Sequence, residues 1–119
     1  MKKILIVEDD SDFQDIYQLY LQGESFQVLT ALDGKEAMAV LEKETPDLII
    51  LDLIMPVMDG EEFYVWLRSQ EKWRSLPVII ASVNEKMPQR IVDLGGVAGN
   101  LKKPFEIDSL LEKIRANLK

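Results

Sequence analysis

The sequence predicts an α/β fold, a three-layer, doubly wound, five-stranded parallel sheet with helices on both faces. Three observations carry that reading. Short apolar runs alternate five times with segments of helical periodicity, a pattern that gives parallel strands joined by right-handed crossovers. The run Leu48-Ile49-Ile50-Leu51 is apolar on both faces and too short for a helix, so it reads as a central strand covered above and below. Four of the five predicted strands finish at a polar residue or pair: Glu8 and Asp9, Asp52, Ser82, and Lys103. In open α/β sheets ligands bind outside the carboxyl ends of the strands, so that edge is the expected site.

Lys3 to Val7 forms the first strand and ends at Glu8-Asp9-Asp10. Ser11 to Gln14 fits a capping box, and Phe13, Ile16, Tyr17, Tyr20 and Leu21 share one helical face before Gly23 stops the helix. Phe26 to Ala31 is the second strand. Asp33-Gly34 then turns the chain into a helix with Ala37, Met38 and Leu41 inward, ended by Pro46. After the central strand, Pro56 and Asp59-Gly60 mark a loop, and a third helix starts near Glu61 with Phe63, Trp66 and Leu67 inward and Asp59 as its cap. Trp73 lies in the next connection. Val78 to Ala81, bounded by Pro77 and Ser82, is a fourth buried strand. A short helix over Pro88 to Leu94 closes at Gly95-Gly96, and Val97 to Leu101 is a weak fifth strand interrupted by Gly99. Ile107, Leu110, Leu111, Ile114 and Leu118 form the stripe of a last helix. For five such units the flavodoxin-like order 2-1-3-4-5 is expected, with its switch point between the strands that end at Glu8-Asp9 and at Asp52.

The bulk composition narrows the chemistry. At 119 residues the chain reads as a single domain, 1–119, large enough to bury a core without disulfides. No apolar run approaches the roughly 18 residues of a membrane span, so no membrane partner is expected. Cys and His are both absent, which removes thiolate chemistry and the usual general base and leaves carboxylates, hydroxyls and amines. Fourteen basic against 21 acidic residues give a net charge of −7, which opposes binding to a phosphate backbone, so direct nucleic-acid contact is not expected.

Three carboxylates held close together repel unless a cation sits among them. Magnesium suits this set, because it takes oxygen ligands, uses one or two carboxylates directly and keeps positions for water or phosphate oxygens. Asp9 and Asp52 are then direct ligands and Glu8 acts through water. Beside an ammonium (Lys103) and a hydroxyl (Ser82), such a site suits a phosphoryl group, and Asp52 can be the nucleophile that becomes an aspartyl phosphate. Taken singly, each of these residues has a plainer explanation as a cap, a turn hydroxyl or a surface charge. Their joint placement favours the functional reading.

The assembled pattern resembles a response-regulator receiver domain of two-component signal transduction: ILIVEDD at the first strand, DLIILDLIMPVMDG at the third, PVIIAS at the fourth and KKPF after the fifth. The resemblance implies a phosphoprotein whose Asp52 accepts phosphate from a histidine kinase or histidine phosphotransfer protein. It implies Mg²⁺ held by Glu8 and Asp9 with the backbone carbonyl of Ile54, Ser82 bonding the phosphoryl oxygen, Lys103 pairing with it, and a cis peptide at Pro104. Phosphorylation then alters binding of a downstream protein target through the face made by the fourth helix, fifth strand and fifth helix, in a cytoplasmic setting. The domain assists its own phosphorylation and dephosphorylation but is not a turnover enzyme. Two positions depart from the family pattern: Asn100 stands where an aromatic switch residue is usual, and Val83 where a small residue follows the hydroxyl. Two alternatives stay open, a phosphorylation-independent adaptor with this fold and a Mg-dependent phosphatase of the haloacid-dehalogenase type. The second would need an acid two residues after the nucleophile, where this chain has Ile54.

Overall fold

The computed structural model describes residues 1–83 and 86–118. Its strands are β1 (Lys3–Val7), β2 (Gln27–Ala31), β3 (Leu48–Leu51), β4 (Val78–Ser82) and β5 (Val97–Lys102). They alternate with α1 (Ser11–Gly23), α2 (Gly34–Lys43), α3 (Gly60–Ser69), α4 (Gln89–Leu94) and α5 (Ile107–Asn117), and a 3₁₀ turn at Glu71–Trp73 follows α3. All strand pairs are parallel and the order is β2-β1-β3-β4-β5. The doubly wound sheet read from the sequence is therefore the observed fold.

Strand alternation splits the core in two. Leu5, Val7, Ile49, Leu51 and Ile80 point to one face and pack with Ala37, Leu41, Phe63, Leu67 and Ile91 from α2, α3 and α4. Ile4, Ile6, Leu48, Ile50 and Ile79 point to the other and pack with Tyr17, Leu21, Leu110, Leu111 and Ile114 from α1 and α5. The register Val7↔Leu51 and Leu51↔Ile80 aligns the carboxyl ends of the three inner strands, so the residues that follow them emerge side by side. At the edge, the register with β4 slips between Val78, opposite Val97, and Ile79, opposite Gly99. The irregularity is where the sequence signal for this strand is weakest.

Local details depart from the sequence reading in physically simple ways. Asp10, not Ser11, caps α1, its Oδ1 accepting from Asp12 N at 2.9 Å and Phe13 N at 3.4 Å. Gln14 is freed from the expected capping box and is buried, its Nε2 donating to the carbonyls of Ile6, Glu8 and Ala31 at 3.2, 3.1 and 3.0 Å. That one amide ties the ends of β1 and β2 to α1. Ile16 and Tyr20 are exposed, because α1 packs through Tyr17 and Leu21, with Phe13 partly buried beside them. On α3 Tyr64 is fully buried as well, and Trp66 is half-buried against the core. Asp59 caps α3 as expected, accepting from Glu62 N at 2.9 Å. Gly95 and Gly96 close α4 at φ 69° and 80°, a conformation open to glycine and strained for other residues.

Candidate functional site

β3 is a continuous apolar strand that stops at Asp52, whose amide still donates to Val7 O at 3.0 Å, so the ladder with β1 carries its side chain to the sheet edge. Glu8 is fixed likewise, its amide donating to Ala31 O at 3.0 Å. The two carboxylates come from adjacent strands at the switch point, and both are buried. Asp9, the next residue, is exposed, and one carboxylate oxygen from each of Glu8, Asp9 and Asp52 lies within 4.8 Å of the others. Lys103 closes the cluster: its Nζ donates to a Glu8 carboxylate oxygen and to Asp52 Oδ2, the latter at 3.3 Å. That ammonium comes from β5's far end, brought in because Lys103 N donates to Ser82 O at 2.9 Å and Lys102 pairs with Ser82 across β4 and β5. The Lys103–Pro104 peptide is cis.

Of the residues singled out from sequence, Glu8, Asp9, Asp52 and Lys103 converge, and buried Ser82 stands at the same edge, tied to Lys103 through the backbone. Ile54 is half exposed, its amide donating to Asp52 Oδ1 at 3.2 Å. Val83, directly after Ser82, is 57% exposed. Asn100 is exposed on β5 in register with Ile80, and takes no part in the acid cluster. Phe13, read from sequence only as a core position, lies beneath the Lys103 ammonium, its ring centroid 4.3 Å from Nζ. No sequence signal links residues 90 positions apart.

The electrostatics follow from this crowding. Burial pushes the Glu8 carboxyl up from 4.5 to about 7; its hydrogen bond to Lys103 opposes that rise and the neighbouring Asp52 adds to it. Burial also pushes up the Tyr17 phenol, with smaller contributions from Glu8 and Asp52. Three acidic oxygens within 4.8 Å on one polar edge, with Lys103 as the cation bonded to two of these acids among the described residues, are the donor set of a hard divalent cation, and they fit Mg²⁺.

Folded Glu8 holds its proton to about 7, whereas the unfolded chain releases it near 4.5, so its contribution to stability is fully present below 4.5 and is lost as pH rises to 7. Mg²⁺ needs the ionised form, so the melting-temperature gain from added Mg²⁺ is expected to grow between pH 6 and pH 8, and Glu8→Gln to flatten that trend. Thermal melts of both proteins at several pH values, with and without Mg²⁺, check it. An equal Mg²⁺ gain at both pH values would remove Glu8 from the cation site.

The loop after Asp52 is held by a close approach. Gly60 N donates to Leu53 O at 3.0 Å, and a Cβ on Gly60 would collide with the backbone oxygen of Asp52 and come to 2.6 Å from Leu53 Cα. Backbone cannot yield as a side-chain tip does. Gly60→Ala is expected to destabilise the domain by about 3 kcal/mol in urea unfolding and to weaken Mg²⁺ binding by moving Asp52. Unchanged stability would show that α3 can back away from the strand end freely.

Comparison with known proteins places this geometry. The family model described as the response regulator receiver domain matches residues 4–115. The transcriptional regulatory protein YxdJ of Bacillus subtilis is 32% identical over 120 residues, covering 100% of this chain and 51% of that protein, so the chain spans about half the length of such curated relatives. The chemotaxis response regulator CheY4 of Vibrio cholerae superposes with a TM-score of 0.88 at 33% identity, covering 99% of both chains. The response regulator TrrA of Thermotoga maritima, solved in complex with Mg(2+)-BeF, superposes with a TM-score of 0.87 at 27% identity, covering 99% of this chain and 100% of that one. With the family model aligned from β1 to α5 and the acids and lysine gathered at the strand ends, the chain belongs to the response regulator receiver domains of two-component signalling.

Proposed function

We propose that this receiver domain is a phosphorylation-controlled switch in which Asp52 accepts a phosphoryl group from a histidine kinase or histidine phosphotransfer protein. The observation that carries the reading is the convergence of the Asp52, Glu8 and Asp9 carboxylates within 4.8 Å, with Lys103 bonded to two of them. Asp52 is the nucleophile: one of its carboxylate oxygens forms the new P–O bond, and the bond from phosphorus to the donor breaks, leaving the donor with the electron pair. Ile54 N, bonded to Asp52 Oδ1, and Lys103 Nζ, bonded to Oδ2, hold the carboxylate in one orientation for the incoming group. Ser82 and Lys103 then take phosphoryl oxygens, which neutralises charge without a general base. Glu8, Asp9 and Asp52, with the carbonyl of Ile54, would hold Mg²⁺. Bound there, the cation supplies positive charge to the phosphoryl oxygens.

With Ile54 two residues past Asp52, no acid or base is available at that position to activate water, so the acyl phosphate is expected to persist as a signal rather than turn over. The output is a change in affinity for a downstream protein at the face of α4, β5 and α5, where Val92 and Leu94 are exposed and the turn at Gly95 and Gly96 leaves little side-chain cover. The −7 charge argues against this domain itself touching nucleic acid, and a cytoplasmic setting fits a kinase donor. Exposed Asn100, lacking an aromatic ring to report on the site, favours one second reading, an adaptor whose partner binding ignores phosphorylation. Intact mass after incubation with Mg²⁺ and acetyl phosphate, followed by partner capture with each form, separates the two. One added phosphoryl group and altered affinity are expected; phosphorylation that leaves affinity unchanged would favour the adaptor.

A further inference from the structure

We propose that Phe13 is a positioning residue for this site, the face of its ring holding the Lys103 ammonium in place for the phosphoryl group. The inference rests on the reading of Asp52 as acceptor and Lys103 as its cationic partner. Lys103 Nζ lies 4.3 Å from the Phe13 centroid, well inside the range at which the negative face of an aromatic ring attracts a cation. The Lys103 side chain is only 8% exposed, so little water competes for that charge. Two of its directions are taken by Glu8 and Asp52, and an ammonium has three donors. The ring supplies the remaining partner.

The ring is itself held. Phe13 N donates to the Asp10 cap in the first turn of α1. Its ring lies 5.9 Å from that of Tyr17, which stacks on Phe105 at 6.2 Å and 28°. Phe105 follows Lys103 by two residues, so one aromatic column ties the backbone that carries the lysine to the ring beneath its tip. A hydrogen-bonding side chain at position 13 would lock the ammonium in one direction. A ring face does not: the charge can exchange a carboxylate for phosphoryl oxygens while keeping its contact with the ring. Beside the column lies a cavity of about 220 Å³, lined by Phe13, Tyr17 and Phe105 with Ile16, Tyr20 and Ile107, so a larger ring at position 13 has room.

The test compares Phe13→Leu, which keeps the apolar bulk, with Phe13→Tyr and Phe13→Trp, which keep an aromatic face. The first readout is the proton shift of the Lys103 ε-methylene by NMR, with neither metal nor phosphodonor present. An upfield ring-current shift is expected in wild type and the aromatic variants and its loss in the leucine variant. The second is the rate of phosphoryl uptake from acetyl phosphate with Mg²⁺, expected to fall about fivefold in Phe13→Leu and to stay within about twofold of wild type in the aromatic variants. Thermal melts verify that all three fold. Wild-type rates in the leucine variant, equal slowing in all three, or a wild-type Lys103 signal without the ring-current shift would each overturn the proposal. Should wild type take no phosphoryl group, the reading of Asp52 as acceptor fails instead, while the metal-free shift still decides whether Phe13 holds Lys103.

Discussion

Asp52→Asn is expected to lower phosphoryl uptake from acetyl phosphate at least about a thousandfold while raising the melting temperature of the metal-free domain. Both effects have one origin. Asp52 is buried beside Glu8, with the Asp9 oxygen within the same 4.8 Å, and Lys103 is the cation bonded to the cluster among the described residues. An amide removes the nucleophilic oxygen pair and also one charge from a group of like charges. It can still accept from Ile54 N, so the loop geometry is kept. Relief of that repulsion is expected to be worth about 1–2 kcal/mol without metal, and the gain should shrink when Mg²⁺ is added, because wild type then has its own compensation. Intact mass and urea unfolding, each with and without Mg²⁺, measure the two halves. Phosphoryl uptake by the variant at the wild-type rate would place the acceptor elsewhere. A metal-free variant less stable than wild type would mean that the Asp52 to Lys103 pair outweighs the repulsion among the acids.

The trade of stability for chemistry at Asp52 explains which parts of the molecule were legible in the sequence. Leu48 to Leu51 cannot be anything but buried, and once four parallel strands align, the residues after them must share an edge. The acid cluster and its lysine were therefore readable as positions. Their contacts were not. Ser11 and Asp10 are both good caps, and the choice between them was made by Gln14, whose amide satisfies three strand-end carbonyls instead of a helix terminus. Arg68 looks like a surface charge on α3, yet it is buried, with Nη1 donating to Trp73 O and Nη2 to Gly96 O, both at 2.9 Å, and Nε to the Tyr64 hydroxyl at 3.1 Å. The Gly96 carbonyl, 28 residues away, meets the guanidinium only after the sheet has formed. Val57 is a β-branched residue at φ 66° in the loop after the site, where the turn chemistry of Pro56 and Asp59-Gly60 gave no hint of a left-handed residue. For Gln14 and for the Gly96 partner of Arg68 the missing information lay in contacts between elements, whereas Val57 sits in a tight local turn closed by Met58 N donating to Pro56 O at 2.7 Å.

The lysine is where long-range packing and charge meet, and Lys103→Met is expected to have the largest effect on stability. Its ammonium comes from the end of β5, 51 residues from Asp52 and 95 from Glu8, and its side chain is 8% exposed against 2% for Glu8 and 9% for Asp52. Methionine fills similar volume and preserves contact with Phe13, so packing is nearly conserved and the loss is electrostatic. Removing one partner of a buried ionic group leaves the others uncompensated, which costs about 3–5 kcal/mol. The penalty depends on pH in a defined sense. Lys103 holds the Glu8 carboxyl below where burial alone would put it, so without the lysine the raised value climbs further, and stability is lost over a wider interval as pH rises. The variant should therefore be nearest to wild type in mild acid and furthest from it above pH 7. Added Mg²⁺ should recover part of the deficit at high pH, since a divalent charge on the three acids replaces the missing one. Phosphoryl uptake should stay low even then, because Lys103 also pairs with the transferred group. Urea unfolding at pH 5 and pH 8, with and without Mg²⁺, separates these contributions. Equal destabilisation at both pH values, untouched by Mg²⁺, would show that the lysine does not act by charge compensation of the acids.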